Sequence, residues 1–238
     1  MLNKYVRGLF DVNRFHHYRI RNNIPLFALF AVLVVFIILL SNGHMIFPNS
    51  WFPSQLAASA FMILFFIWIL CELANNVLSK RNSITANQDR GSFGVVIAAS
   101  WVAIFAVFIF RSLGIGVFSG FMQLNGIIVF AAGIVLREWA IFVLGKHFTV
   151  RVQIREEAKL VTWGPYRYIR HPSYTGTLLS MVGIAIAVGT WFGMLFALAL
   201  KLSAYRYRIN IEERALEKFF GSEWSDYKKR TWRLIPGF

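Results

Sequence analysis

The apolar run Thr177–Leu200 is about as long as one transmembrane helix, yet both of its flanks are strongly basic. Residues 146–170 carry Lys146, Arg151, Arg155, Lys159, Arg167 and Arg170. Residues 201–238 carry Lys201, Arg206, Arg208, Arg214, Lys218, Lys228, Lys229, Arg230 and Arg233. Lysine and arginine beside membrane spans mark the cytoplasmic face, so an even number of crossings must separate the two segments. One helix cannot do this. A tight hairpin at Gly189-Thr190 does, with arms at about Ser173–Val188 and Trp191–Tyr207, each near the ~17-residue lower limit for a span.

The rest of the chain fits a membrane setting. Of its 238 residues, 57% are hydrophobic and 15% charged, against about 25% charged in soluble domains. The net charge of +14 lies in the gaps between apolar runs rather than in a separate basic domain. That is the positive-inside pattern and argues against nucleic acid as a partner. The single cysteine, Cys71, allows neither an internal disulfide nor a cysteine-rich metal site, and no metal is expected. Earlier spans are predicted at Ile24–Leu40, Leu56–Leu78, Phe93–Phe110 and Phe121–Leu144. The first of these is too long for a signal-peptide core and is followed by no A-x-A cleavage site. The glycines of Leu113–Gly120 follow a lipid-length helix rather than a strand, so they mark a turn and not a dinucleotide loop. The expected fold class is all-α, a polytopic integral membrane protein of about six transmembrane helices with both termini cytoplasmic. A C-terminal tail should follow, with Ile211, Ala215, Phe219 and Phe220 as one amphipathic stripe. Gly221 should end that helix, and a second short helix is predicted at Glu223–Arg230.

Chemistry concentrates in Leu160–Gly176, reading LVTWGPYRYIRHPSYTG. Its two X-Pro steps interrupt helix, and its tyrosines stand beside Arg167, Arg170 and His171. A hairpin forces its two cytoplasmic ends together. Arg208, Glu212 and Glu213 should therefore face His171 and Tyr174 across a small cavity at the membrane surface. Arg208 and Glu212 are four residues apart on one helical face, about 5–6 Å at Cβ, with Tyr205 one turn earlier. Within the fourth span, Arg137 and Glu138 are costly in lipid; Arg137 either snorkels outward or lines a site.

The stretch Arg170-His-Pro-Ser-Tyr-Thr-Gly176, preceded by Leu160-Val161 and Gly164-Pro-Tyr166, resembles the core of the isoprenylcysteine carboxyl methyltransferase family. The likeness extends upstream through Leu136-Arg137, Gly145, Phe148 and Val152-Gln153. Downstream it runs through Arg206-Tyr-Arg208, Glu212-Glu213, Phe219-Phe220-Gly221 and Tyr227-Lys-Lys-Arg230, so that it covers roughly residues 119–238. The eukaryotic members show a histidine just ahead of the Leu-Val pair, where this chain has Ala158-Lys159. The resemblance implies an integral membrane enzyme that binds S-adenosylmethionine without a Rossmann domain, in a cytoplasmic-face pocket closed by the C-terminal tail. It implies cofactor contacts from Gln153, Leu160, Val161, Tyr166, His171, Pro172, Ser173, Tyr174 and Glu212. Arg208, with Arg137, would meet the substrate, and Arg208, Glu212 and Glu213 form the expected catalytic set. The chain then divides into an N-terminal three-helix region, 1–118, and a methyltransferase core, 119–238. The core comprises a cofactor loop (146–176), the hairpin (173–207) and the tail (208–238).

The residue chemistry agrees with that assignment. Methyl transfer is an in-line displacement that depends on positioning and desolvation. A sulfonium cation is drawn to aromatic faces and carboxylates, here Tyr166, Tyr174 and Glu212. An arginine fork suits a carboxylate nucleophile, which is already ionised at neutral pH and needs no general base. An amine would need one, and His171 is the nearby candidate. Carboxyl methylation of a hydrophobic or lipid-linked acceptor is therefore favoured over phospholipid N-methylation. Two readings from other classes remain. One is an NADPH-dependent sterol-type reductase, which ends in a similar Arg-His-Pro-x-Tyr-x-Gly but tends to have asparagine at the place of Ser173. The other is a non-enzymatic membrane protein.

Overall fold

The computed structural model describes residues 51–82, 89–152 and 158–235. The predicted first span, Ile24–Leu40, and Gln153 lie outside the described residues. Within them the regular structure is helical: α1 Gln55–Asn82, α2 Ser92–Ser112, α3 Phe121–Leu144, α4 Pro172–Val188, α5 Trp191–Phe220 and α6 Ser222–Lys229. Short 3-10 turns occupy Gly145–His147 and Gly164–Arg167.

Three of these helices are long and apolar enough to cross a membrane, at Gln55–Ser79, Ser92–Ser112 and Phe121–His147. They coincide with the second, third and fourth predicted spans to within a few residues. The outward faces are apolar, with Ile63, Val102, Phe105, Ile128, Val135 and Phe142 exposed, as lipid contact requires. The hairpin forms at the predicted turn. Its first arm, α4, has 17 residues, about 25 Å of helix. Its second arm belongs to α5, whose 30 residues run unbroken from the turn into the tail.

The turn shows how a polar bend is kept inside an apolar body. Gly189 closes α4 in the left-handed region, φ 84°, and a Cβ there would lie 2.4 Å from the Phe118 carbonyl oxygen. Thr190 then caps α5, its hydroxyl accepting from the Gly193 amide at 3.2 Å. Backbone groups freed by the bend pair with the α2–α3 loop: the Phe118 amide donates to the Gly189 carbonyl and the Trp191 amide to that of Gly116. Arg111 also donates to the carbonyls of Phe118 and Gly189, and Gln123 donates to that of Ala187. In lipid such groups must be satisfied internally, and two buried side chains do so here.

α3 and α4 pack antiparallel at backbone distance. A Cβ on Gly126 would fall 2.3 Å from Ala187 N, on Gly133 2.4 Å from Ser180 N, on Gly176 2.6 Å from Arg137 N, and on Gly183 2.2 Å from Phe130 N. The glycines recur every seven residues on each helix, so one seam stays small along its length, the arrangement that lets membrane helices approach closely.

The tail is helical as predicted, and Gly221 ends α5 at φ 56°. Its inward face differs from the predicted stripe. Arg208, Ile209, Ile211 and Glu213 are buried, whereas Phe219 is 42% exposed. Ionic partners on neighbouring segments draw Arg208 and Glu213 inward, and that sets the rotation of the helix.

Candidate functional site

The segment between α3 and α4 ends at His171, which precedes the helix-starting Pro172. Proline is favoured at this position because its fixed φ suits the helix and it lacks an amide the helix could not use. The His171 carbonyl accepts from the Tyr174 and Thr175 amides, which closes the first turn of α4 and turns His171 and Tyr174 toward α5. Facing them on α5 are Tyr205, Arg208, Glu212 and Glu213.

Two polar clusters result. In the first, the Tyr174 hydroxyl accepts from Arg208 Nε at 2.8 Å and donates to Glu212 Oε2 at 2.8 Å. The sequence placed Arg208 and Glu212 on one face of α5, opposite His171 and Tyr174 across a small cavity; instead the groups touch, with the Tyr174 hydroxyl standing between Arg208 and Glu212. Arg208 finds its ionic partner elsewhere. Its Nη1 lies 2.7 Å from Asp89 Oδ1 and 2.8 Å from Ser92 Oγ, and its Nη2 lies 2.5 Å from the Val150 carbonyl oxygen. Asp89 is fixed in turn by capping α2, accepting from the Phe93 amide and the Ser92 hydroxyl at 3.0 Å each. Burial works to raise the Asp89 carboxyl, but the Phe93 amide and Arg208 outweigh it and hold it below the usual carboxylate range.

The second cluster centres on Glu213. Its Oε1 lies 3.1 Å from Arg170 Nε and 3.2 Å from His171 Nε2, and its Oε2 lies 2.6 Å from Arg233 Nη2. Burial opposes ionisation, yet His171 and Arg233 hold the carboxyl well below its ordinary value. His171 Nδ1 is 3.9 Å from Glu212 Oε2, so the ring stands between the two carboxylates. Arg170 also donates to the carbonyls of Lys228 and Thr231. The segment around Trp232 pairs alongside Ile169 through the Arg170 and Trp232 amides. Tyr227 donates to the Tyr166 carbonyl at 2.7 Å. The tail is thereby strapped onto the loop.

Of the remaining predicted residues, Tyr166 is buried against Ala140 and Val143, with Val161 packed beside it. Burial, then the charge of Glu212, pushes its phenol well above the ordinary value and keeps it neutral. Leu160 and Ser173 are half-buried, and Pro172 is buried. The Ser173 carbonyl accepts from Thr177 at 3.0 Å and from Arg137 at 3.4 Å. Arg137 does not snorkel. Its Nε and Nη2 lie 2.6 and 2.8 Å from the two Glu72 carboxylate oxygens, and its Nη1 donates to Thr177 at 2.9 Å. Its neighbour Glu138 accepts from Asn75 at 2.9 Å.

Sequence reasoning missed Asp89, Ser92, Glu72 and Arg233. Asp89 carried a readable signal: an aspartate just ahead of an apolar helix is a capping residue. Nothing local marked it as the counter-ion of Arg208.

Residues 126–218 match the isoprenylcysteine carboxyl methyltransferase family. Over this segment the chain is similar to that family. A probable protein-S-isoprenylcysteine O-methyltransferase of Oryza sativa subsp. indica is 32% identical over 121 residues, covering 49% of this chain and 62% of the relative. Protein-S-isoprenylcysteine O-methyltransferase B of Arabidopsis thaliana is 35% identical over 116 residues, 47% of this chain and 57% of the relative. The chain thus spans less than two thirds of the length of these relatives. The solved structure of a eukaryotic intramembrane Ras methyltransferase of the family superimposes with TM-score 0.50 over 75% of this chain and 68% of that one. At 24% identity that likeness speaks to the fold. Asp89 and Arg233, which complete the two clusters, lie outside the family segment.

Proposed function

We propose that this chain is a membrane methyltransferase that uses S-adenosylmethionine to esterify a carboxylate on a lipid-linked or otherwise hydrophobic acceptor. The observation that carries the reading is the Tyr174 hydroxyl held between Arg208 and Glu212, inside the segment that matches the methyltransferase family. The relatives' naming as O-methyltransferases of isoprenylcysteine supports a carboxyl acceptor.

When bound, S-adenosylmethionine supplies an electrophilic methyl group on a sulfonium centre. The donor set suits such a cation. Glu212 is 31% exposed at its side chain and, among the described residues, makes no hydrogen bond through Oε1. Tyr166 adds a neutral aromatic ring, and Tyr174, its ring stacked between His171 and Tyr205, contributes its hydroxyl. Leu160, Val161, Tyr166, His171, Pro172, Ser173, Tyr174 and Glu212, with Gln153, would hold it. Glu213 has both oxygens engaged, so we assign it a positioning role: it fixes His171 and anchors the tail through Arg233. Arg208 spends four of its five N–H groups on Tyr174, Asp89, Ser92 and Val150. It acts on an acceptor carboxylate through its charge and the one N–H that remains. The acceptor is ionised at neutral pH, so no side chain need remove a proton. Burial of the cluster excludes water and strengthens each of these interactions.

Titration calorimetry on the purified protein tests the reading. S-adenosylhomocysteine should bind and NADPH should not. Glu212→Gln should weaken the former roughly tenfold or more, the scale of losing a hydrogen bond to a charged group, with unchanged melting temperature. No binding of S-adenosylhomocysteine to intact protein would sink the proposal.

A further inference from the structure

Lys201 lies on α5, within the second arm of the hairpin, and is 1% exposed. Its ammonium donates to Ser100 Oγ on α2 at 2.7 Å and sits 4.5 Å from the centroid of the Tyr205 ring. No carboxylate forms an ion pair with it among the described residues. A cation inside a span is costly, and a packing role alone is met by methionine or leucine without that cost. The ring it faces leads directly to the site. Tyr205 stacks on Tyr174 with centroids 4.7 Å apart and planes inclined by 30°, and Tyr174 stacks on His171 at 5.6 Å and 22°. Lys201, Tyr205, Tyr174 and His171 therefore form one column, closed by a cation at the membrane side and by Glu213 at the other.

We propose that Lys201 is a positioning residue for the methyl-transfer site: by gripping the Tyr205 face it fixes the Tyr174 ring, and so the hydroxyl shared by Arg208 and Glu212. The attraction of an ammonium for an aromatic face strengthens when the pair is desolvated. Tyr205 sits one turn along α5 from Lys201, so both move as one body, and Ser100 ties that body to α2. Without the cation the ring keeps its volume but loses the charge that orients it. Tyr174 then gains freedom, although α4 and α5 remain packed. The proposal rests on Tyr174 belonging to the methyl-transfer site.

The test compares wild type, Lys201→Met, Lys201→Arg and Ser100→Ala, each in detergent and carrying 3-fluorotyrosine. The Tyr174 resonance is assigned by Tyr174→Phe, with exposed Tyr168 as the reference. Lys201→Met should move or broaden the Tyr174 resonance and leave that of Tyr168 in place. It should also weaken S-adenosylhomocysteine binding several-fold at an unchanged or higher melting temperature. Lys201→Arg, which keeps a cation, should restore both. Ser100→Ala, which only frees the ammonium, should move the same resonance by less, and it serves if Lys201→Met fails to fold. An unmoved Tyr174 resonance overturns the proposal. So does affinity that falls only in step with melting temperature and is not restored by arginine. If wild type binds no S-adenosylhomocysteine, the methyltransferase reading fails, and the resonance alone then decides whether the cation sets the ring.

Discussion

Gly183→Ala puts the α3–α4 seam to a direct test. The added methyl would stand 2.2 Å from Phe130 N, 2.5 Å from Phe130 Cα and 2.8 Å from the Gly126 carbonyl oxygen, where ordinary contact begins at 3.4 Å. Relief therefore needs the two helices to part by about 1 Å, because the atoms met are backbone and cannot rotate away. A gap of that size forfeits a quarter to a half of each dispersion contact along the seam. Overpacking of this kind costs about 1–3 kcal/mol, and the backbone clash places it at the upper end. For a chain of this length that corresponds to a fall in melting temperature of roughly 6–12 °C. The control is Gly94→Ala on α2, where an added Cβ meets nothing within 4 Å. It should be neutral, or stabilise by up to about 1 kcal/mol through helix propensity. Thermal melting of both variants in one detergent decides the matter. A Gly183→Ala protein that melts with wild type, or a Gly94→Ala protein that melts below it, would refute the close-packed seam.

Two further outcomes follow from the ionic clusters. Asp89→Ala leaves the buried Arg208 without its ionic partner and should cost about 3–5 kcal/mol, read as a lower melting temperature; a change under 1 kcal/mol would show that the pair is not held as described. For Glu213 the folded carboxyl titrates below its ordinary value of 4.5. Its stabilisation is then complete above that pH and is lost as pH falls through the folded value. Melting temperature should decline below about pH 4.5 in wild type and less steeply in Glu213→Gln, whereas parallel slopes would exclude this carboxylate as the source.

The spans were legible because length, hydropathy and the placement of cations are local properties of the chain. The hairpin was legible because two basic flanks and one apolar run admit few solutions. His171, Tyr174, Arg208, Glu212 and Glu213 could be named because a hairpin brings its own two ends together whatever else the chain does. Partners contributed by other segments were not legible. Asp89 reaches Arg208 across 119 positions and Glu72 reaches Arg137 across 65; both depend on helix rotation and register, which residue types alone do not state. The i, i+4 rule placed Arg208 and Glu212 on one face correctly but could not foresee Tyr174 standing between them. The seven-residue spacing of Gly126 with Gly133, and of Gly176 with Gly183, was present in the sequence as a sign of the seam.

The strap between loop and tail has a consequence for the order of biosynthesis. Arg170 enters the growing chain well before its partners, since Glu213, Lys228 and Thr231 follow it by 43, 58 and 61 positions. At translation rates of about 5–20 residues per second, the last of these arrives roughly 3–12 s later. Through that interval α1 to α4 can already be inserted while the arginine faces water or lipid phosphate. A nascent chain halted before Glu213 would thus hold its membrane helices and lack the site, so assembly of the site follows insertion of α1 to α4.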